Sequence, residues 1–176
     1  MKILAICGSP RKGNTEAMLR EILRGAEQAD TDTELVLLRE LDIKHCNGCV
    51  TCEQTKFCNI KDDMQGLYRK IFKSDVLVLG SPNYFNNVTG LMKDFIDRMC
   101  PYYRENKMIM GKKAVIISVG GEEAESSGDA LKEFCDICKM NVIGILKAKA
   151  YDAGKISENK KKMQECFELG QKLAKL

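Results

Sequence analysis

Long hydrophobic runs, excess charge and histidine are all scarce in this sequence. Its apolar runs are too short to cross a bilayer, and Met1 to Ile6 lacks the length of a signal peptide. Lys and Arg (28) exceed Asp and Glu (25) by only three charges, and the lysines are dispersed, which argues against a nucleic-acid surface. We therefore expect a cytoplasmic protein with neither a membrane nor a nucleic acid as its partner.

The composition and the pattern of apolar residues indicate one α/β domain. Hydrophobic residues make up 44% and charged residues 30% of 176 residues, the balance and length of a single globular domain. Apolar strands and amphipathic helices alternate five times, which predicts a parallel sheet with helices on both faces, in the strand order 2-1-3-4-5. The predicted strands are Lys2 to Cys7, Thr33 to Leu38, Asp75 to Gly80, Ala114 to Val119 and Val142 to Lys147.

The segment Gly8 to Thr15 joins the first strand to the first helix and has the character of an anion site. A strand that turns sharply into a helix leaves unpaired backbone N–H groups pointing at one spot. Glycines allow close approach of a ligand, and the short polar side chains offer donors and a helix cap. The alternative is an ordinary turn capped by Asn14 or Thr15. The candidate anion-binding residues are Ser9, Arg11, Lys12, Gly13, Asn14 and Thr15.

Loops at the ends of three strands narrow the choice of ligand. In the predicted strand order, the loops that begin at Gly8, Ser81 and Gly120 meet at the carboxyl end of the sheet. The first loop is neither Gly-x-Gly-x-x-Gly nor Gly-x-x-x-x-Gly-Lys-Ser/Thr, which disfavours a dinucleotide and a nucleoside triphosphate. Tyr84 and Phe85 in the second loop can lie along a flat ring. A phosphate site beside aromatic residues indicates flavin mononucleotide (FMN).

Three segments together resemble the NADPH-dependent FMN reductase family of flavodoxin-like proteins, and the resemblance spans nearly the whole chain. They are Gly8 to Thr15, Ser81 to Phe85 and Gly90 to Arg98. The resemblance implies a flavodoxin-like three-layer sandwich that forms a single FMN-binding domain over residues 1–176. It also implies that Ser9, Arg11, Gly13, Asn14 and Thr15 hold the phosphate, that Pro82, Asn83, Tyr84, Phe85 and Asn86 edge the flavin ring, and that Gly120 and Gly121 close its other side. Asn83 departs from the branched aliphatic residue that is more usual in this family before the tyrosine.

A cysteine-rich segment at about residues 42–61 fits neither a helical nor a strand period. Its four cysteines follow the spacing Cys46-x2-Cys49-x2-Cys52-x5-Cys58, which allows them to surround one [4Fe–4S] cluster. Structural zinc usually draws on two separated Cys-x2-Cys pairs, and a Rieske centre needs two histidines, whereas His45 is the only one. A single [4Fe–4S] cluster is therefore predicted, with zinc and free thiols as alternatives.

The same spacing resembles the compact motif of the iron–sulfur flavoproteins, a branch of the FMN reductase family. The resemblance implies that all four cysteines are cluster ligands. We expect Asp94, Asp97 and Arg98 on a helix surface or at a subunit interface, and His45 as a loop residue. The remaining cysteines are expected in the core: Cys7, Cys100, Cys135, Cys138 and Cys166.

The first functional hypothesis is an FMN-dependent oxidoreductase or electron carrier that passes electrons between a [4Fe–4S] cluster and FMN, without a catalytic acid or base. Its electron donor would be a ferredoxin or NAD(P)H. The second is a cluster-free NAD(P)H-dependent reductase of FMN or quinones, and the third is a non-catalytic flavin- or zinc-binding module. The resemblance implies a homodimer or homotetramer, to which exposed aromatic residues such as Tyr102 and Tyr103 would contribute.

Overall fold

A computed structural model describes residues 1–103 and 108–176 of the chain. Five parallel strands form one sheet in the order β2-β1-β3-β4-β5, which confirms the predicted strand number and order. The strands are β1 (Lys2–Cys7), β2 (Asp32–Leu37), β3 (Val76–Pro82), β4 (Lys113–Gly120) and β5 (Asn141–Lys149). All five predicted strands match within two residues at either end. The inner strands β1, β3 and β4 are buried apolar runs, which give a clear signal in the sequence.

Helices cover both faces of the sheet and make three layers. They are α1 (Asn14–Glu27), α2 (Thr51–Thr55), α3 (Met64–Lys73), α4 (Gly90–Arg98), α5 (Cys100–Tyr103), α6 (Glu125–Ile137) and α7 (Lys160–Leu173). Helices α1 and α7 share one apolar core with one face of the sheet, and α3, α4 and α6 share a second core with the other face. Along β1, Ile3 and Ala5 enter the first core while Leu4 and Ile6 enter the second.

Some local expectations need correction. Helix α2 lies inside the segment that was expected to be a loop. Helix α1 starts after Gly13 with no side-chain cap, so neither Asn14 nor Thr15 caps it. Thr89 does cap α4 by accepting a hydrogen bond from the Met92 N–H at 3.2 Å.

The core expectation is confirmed for four of the five cysteines outside the cysteine-rich segment. Cys7, Cys135, Cys138 and Cys166 are buried, whereas Cys100 is only half-buried. Tyr102 is buried, so it is not an exposed assembly residue, and the side chain of Tyr103 lies outside the described part of the structure. No helix within residues 1–103 and 108–176 is long and apolar enough to cross a membrane.

Backbone hydrogen bonds join the loops at the carboxyl end of the sheet. The Gly8 N–H donates to the Gly80 carbonyl at 2.7 Å, and the Asn83 N–H donates to the Val119 carbonyl at 2.7 Å. The Ala150 N–H donates to the Gly120 carbonyl at 2.8 Å. These bonds hold four consecutive strand ends in register, so the loops that follow them share one rigid edge.

Candidate functional site

A cleft of about 310 Å³ opens at this carboxyl edge. It brings together nine of the predicted flavin-site residues: Ser9, Arg11, Asn14, Thr15, Pro82, Asn83, Tyr84, Gly120 and Gly121. The other four, Lys12, Gly13, Phe85 and Asn86, do not line it. The convergence follows from the strand order, since β1 and β3 are neighbours at the point where the chain reverses its direction of winding.

The N-terminus of α1 supplies the anion-binding end of the cleft. Gly13 occupies the N-cap position without a side-chain hydrogen bond, so the first N–H groups of the helix remain without intrahelical partners. The Ser9 hydroxyl donates to the Arg11 carbonyl at 2.8 Å and fixes the turn before the helix. Orphan N–H groups and a helix dipole at one point fit a phosphate group.

Asn14 serves as a bridge between the two sides of the cleft. Its Nδ2 donates to the carbonyls of Ala150 at 3.2 Å and Asp152 at 2.8 Å, and its Oδ1 accepts from the Ile156 N–H at 3.1 Å. The side chain therefore fixes the segment after β5 against α1, and its amide hydrogens are already engaged.

The segment after β5 was missed from the sequence, although it forms one wall of the cleft. Ala150, Tyr151, Asp152 and Ala153 all line the cavity. The same rule that selected the other loops, a position just beyond the carboxyl end of a parallel strand, applies to this one. A Cβ atom on Gly121 would lie 2.5 Å from Cδ2 of Tyr151, so this ring packs directly on the glycine backbone.

The loop after β3 ends in a tight turn. The Tyr84 N–H donates to the Asn87 carbonyl at 2.8 Å, and the Asn87 N–H donates back at 3.1 Å. Phe85 and Asn86 between them have φ values of 48° and 58°, as in a type I′ turn. The Phe85 ring is fully exposed at the tip. Tyr84, which is 43% exposed, is the aromatic residue of this loop that reaches the cleft.

The four cysteines of the cysteine-rich segment line a second, small cavity of about 30 Å³. Cys46 and Cys49 are exposed, whereas Cys52 and Cys58 are half-buried. Their chemistry fits an iron–sulfur centre, because four thiols face one space. The arrangement is open: within residues 1–103 and 108–176, no three ligand-type side chains are close enough together to hold a metal ion.

The exposed and inner thiols differ in acidity. The Thr51 hydroxyl is the main cause of a lowered pKa at the Cys49 thiol. Burial, together with the neighbouring thiol of Cys100, raises the pKa of Cys52 to about 11. The outer thiol is therefore the more readily ionised of the two in the metal-free protein.

Arg98 is buried and holds both ends of the cysteine-rich segment. The expectation that it lies on a helix surface or at a subunit interface is therefore wrong. Its Nη1 donates to the Lys44 carbonyl at 2.8 Å, and its Nη2 donates to the Ile60 carbonyl at 3.4 Å. Asp62 accepts from both guanidinium nitrogens, and its Oδ2 also accepts from the Lys44 N–H at 2.9 Å. Asp94 and Asp97 stay on the helix surface, with Asp97 paired to Lys93.

Helix α4 connects the cysteine-rich segment to the cleft. Thr89 at its start donates its hydroxyl hydrogen to the Gly8 carbonyl at 2.5 Å. Asp94 in the middle lies 2.7 Å from Nδ1 of His45, and the contact raises the pKa of that histidine. Arg98 at its end holds the cysteine-rich segment. One helix therefore contacts both the first loop of the cleft and the two ends of the cysteine-rich segment.

Comparisons with known proteins agree with this geometry. The model of the family NADPH-dependent FMN reductase matches residues 1–150. An iron–sulfur flavoprotein of Archaeoglobus fulgidus is 45% identical over 103 residues, which are 58% of this chain and 47% of that protein. One from Methanosarcina thermophila is 31% identical over 148 residues, which are 82% of this chain and 78% of that protein.

The chain thus spans about half the length of the first of these relatives. The fold recurs in the solved structure of two-electron reduced flavodoxin from Megasphaera elsdenii, which aligns over 98% of this chain and 99% of that protein with a TM-score of 0.66 and 22% identity. The family match over most of the chain, the relatives and the paired sites give one conclusion. This chain belongs to the NADPH-dependent FMN reductase family, as a member of its iron–sulfur flavoprotein branch.

Proposed function

We propose that this chain binds FMN in the carboxyl-end cleft and a [4Fe–4S] cluster in the cysteine-rich segment, and passes electrons between them. The observation that carries the proposal is the placement of α4, which contacts the cleft loop at Gly8 and the cysteine-rich segment at Lys44. Its nine residues span roughly 13 Å, so a single rigid element sets the separation of the two sites.

In this proposal the cleft holds FMN by its phosphate and its ring. The uncapped start of α1 receives the phosphate, with Ser9 fixing the loop and Arg11 adding positive charge. Tyr84 and Tyr151 both line the space that the ring would occupy. Bound FMN supplies the exchange of one or two electrons. The residues of the chain hold, orient and partly shield it from water, and no proton-transfer residue is required.

The second half of the proposal assigns the cluster to the four motif cysteines. Cys46, Cys49, Cys52 and Cys58 already face one cavity, and metal binding to such thiols is coupled to closure of the surrounding chain. Gly48, Val50 and Lys56 have positive φ values, so the segment is curved around its own cysteines. An iron–sulfur cluster supplies one-electron transfer.

The partners follow from the same proposal. The electron donor is NAD(P)H or a ferredoxin, and the assembly is a homodimer or homotetramer. Tyr84, which lines the cleft, and Phe85, which follows it in the chain, both expose their rings, and in this proposal a second subunit covers them. Size-exclusion chromatography with light scattering tests the assembly directly.

Anaerobic purification of the chain followed by assays of FMN, iron, acid-labile sulfide and zinc tests both cofactors. We expect one FMN and four irons per chain. FMN without iron or sulfide after anaerobic reconstitution would contradict the cluster role.

Ser9→Ala tests the cleft itself. It removes the hydrogen bond from the Ser9 hydroxyl to the Arg11 carbonyl and should weaken FMN binding about tenfold, which corresponds to the free energy of one hydrogen bond. Ser157→Ala, at an exposed serine, is the control and should leave FMN binding unchanged.

One observation favours a second candidate, a cluster-free NAD(P)H-dependent reductase of FMN or quinones. The thiols of the described residues do not form a closed ligand cage. Stopped-flow mixing with NADH and with NADPH tests the second candidate, because it requires fast bleaching of the flavin by one of them. Slow bleaching by both nucleotides would exclude the second candidate and leave electron transfer as the remaining function.

A further inference from the structure

The cavity of the cysteine-rich segment has a fifth thiol on its wall. Cys100 begins helix α5 and lines the same 30 Å³ cavity as the four motif cysteines. It lies far from them in the sequence, and it is half-buried rather than part of the core. The fold, and not the motif, therefore brings it to this place.

The fold brings the helix of Cys100 against the helix of Cys52. Helix α2, which carries Cys52, packs against α5, which begins at Cys100. Both cysteines line the same cavity. Cys52 and Cys100 thus line one cavity from two helices that are in contact.

Arg98 provides a second, independent sign that this cavity is made for anionic sulfur. Its side chain is fully buried and lines the cavity, and its Nε has no hydrogen-bond partner among the described residues. A buried cation with an unused N–H donor beside thiols stabilises thiolates and the centre that they ligate.

We propose that Cys100 is a fifth sulfur donor of this metal site and can replace Cys52 as a ligand. The inference rests on the proposed function, because it takes the cavity to be a metal site. A [4Fe–4S] cluster offers four corners to protein thiolates, so Cys100 is not a ligand while the four motif cysteines are bound. When Cys52 is removed, the Cys100 thiol releases its proton to solvent as its sulfur binds iron. No oxidant or reductant is needed.

Anaerobic reconstitution of the full chain with equal amounts of ferrous and ferric iron, together with sulfide, tests the inference. The variants are Cys52→Ala, Cys100→Ala and the double variant, with Cys52→Ala/Cys166→Ala as the matched control in which a buried core thiol is removed instead. We expect each single variant and the control to keep most of the iron and sulfide of the wild type. The double variant should hold them at least about tenfold more weakly. FMN binding and circular dichroism establish that every variant is folded.

Two results would overturn the inference. In one, Cys52→Ala loses iron as completely as the double variant does. In the other, Cys100→Ala alone loses iron, which would make Cys100 obligatory rather than alternative.

Cobalt(II) titration separates this inference from the proposed function, since its sulfur-to-metal absorption reports thiolate ligands without sulfide. If the wild type forms no iron–sulfur cluster but cobalt absorption falls only in the double variant, the cluster role is wrong and the fifth donor stands. If the wild type binds neither an iron–sulfur cluster nor cobalt, both the cluster role and the fifth donor are overturned.

Discussion

Arg98 and Asp62 form an ion pair whose two side chains are both completely buried, with Nη1 and Oδ2 2.5 Å apart. The pair joins the end of α4 to Asp62, two residues before the start of α3, and both partners also bond to the backbone of Lys44. A buried charge needs a partner, because it has lost its water. The position of the cysteine-rich segment therefore depends on this pair.

Asp62→Asn should lower the free energy of unfolding by about 3–5 kcal/mol, because it leaves the buried Arg98 guanidinium without its counter-charge. Urea denaturation measures the change. Asp97→Asn is the control, since the Lys93–Asp97 pair is 57% and 41% exposed and should contribute less than about 1 kcal/mol. Equal effects of the two substitutions would show that the buried pair does not hold the fold together.

Gly170→Ala should destabilise the packing of α7 on α1. A Cβ atom at this position would lie 1.9 Å from the Ile22 carbonyl oxygen, so the helices would have to move apart at a cost of about 1–3 kcal/mol. Gly66→Ala on α3 meets nothing within 4 Å among the described residues and should stabilise the protein by about 0.5–1 kcal/mol. Urea unfolding of both variants gives the sign of each change in the free energy of unfolding. A Gly170→Ala variant as stable as the wild type would contradict the close contact.

His45 should titrate above its ordinary pKa because of its hydrogen bond and attraction to Asp94. Since His45 is the only histidine, its imidazole resonances follow this directly by NMR as the pH is changed. Protonated histidine is the form that the pair favours. The stability that the His45–Asp94 pair contributes is therefore complete below the pKa of His45 in the unfolded chain. It disappears as the pH rises through the pKa of His45 in the folded protein. Asp94→Asn should return the pKa towards its ordinary value, and an unchanged pKa would show that the pair does not form in solution.

Cys49 should be alkylated faster than the core cysteines in the metal-free protein. It is exposed and the Thr51 hydroxyl lowers its pKa, whereas burial raises the pKa of Cys135 to about 12. Timed reaction with iodoacetamide and peptide mapping measures each rate. Thr51→Val should slow the reaction of Cys49 severalfold, and Thr55→Val, which removes the other hydroxyl of α2, should not. Equal slowing in both variants would point to loss of the helix instead.

The strands, the sheet order and most of the cleft could be predicted from the sequence, because their signals are local. A buried strand such as β1 is a continuous apolar run, and the turn at Gly8 follows it directly. The alternation of strands and helices then places the carboxyl ends together by a general rule of winding. Assigning the binding residues to FMN and the cysteines to a cluster remains a prediction that the proposed assays address.

The roles of Arg98, Cys100 and Asn14 could not be predicted in this way. Arg98 and Asp62 are 36 residues apart, and a charged residue on a helix is most often exposed unless a distant partner meets it. Cys100 reads as another core cysteine until α5 is placed against α2. Asn14 reads as a helix cap until the segment after β5 is folded against it.

The sequence by itself determined the layers of this protein, the edge of the sheet where its cleft lies and the spacing of its four motif cysteines. Only the tertiary structure decided what surrounds them: the buried ion pair, the fifth thiol and the wall formed by residues 150–153. The physical reason is range. Apolar periodicity acts between neighbours in the chain, whereas desolvated charges and clustered thiols depend on partners that only folding brings into contact.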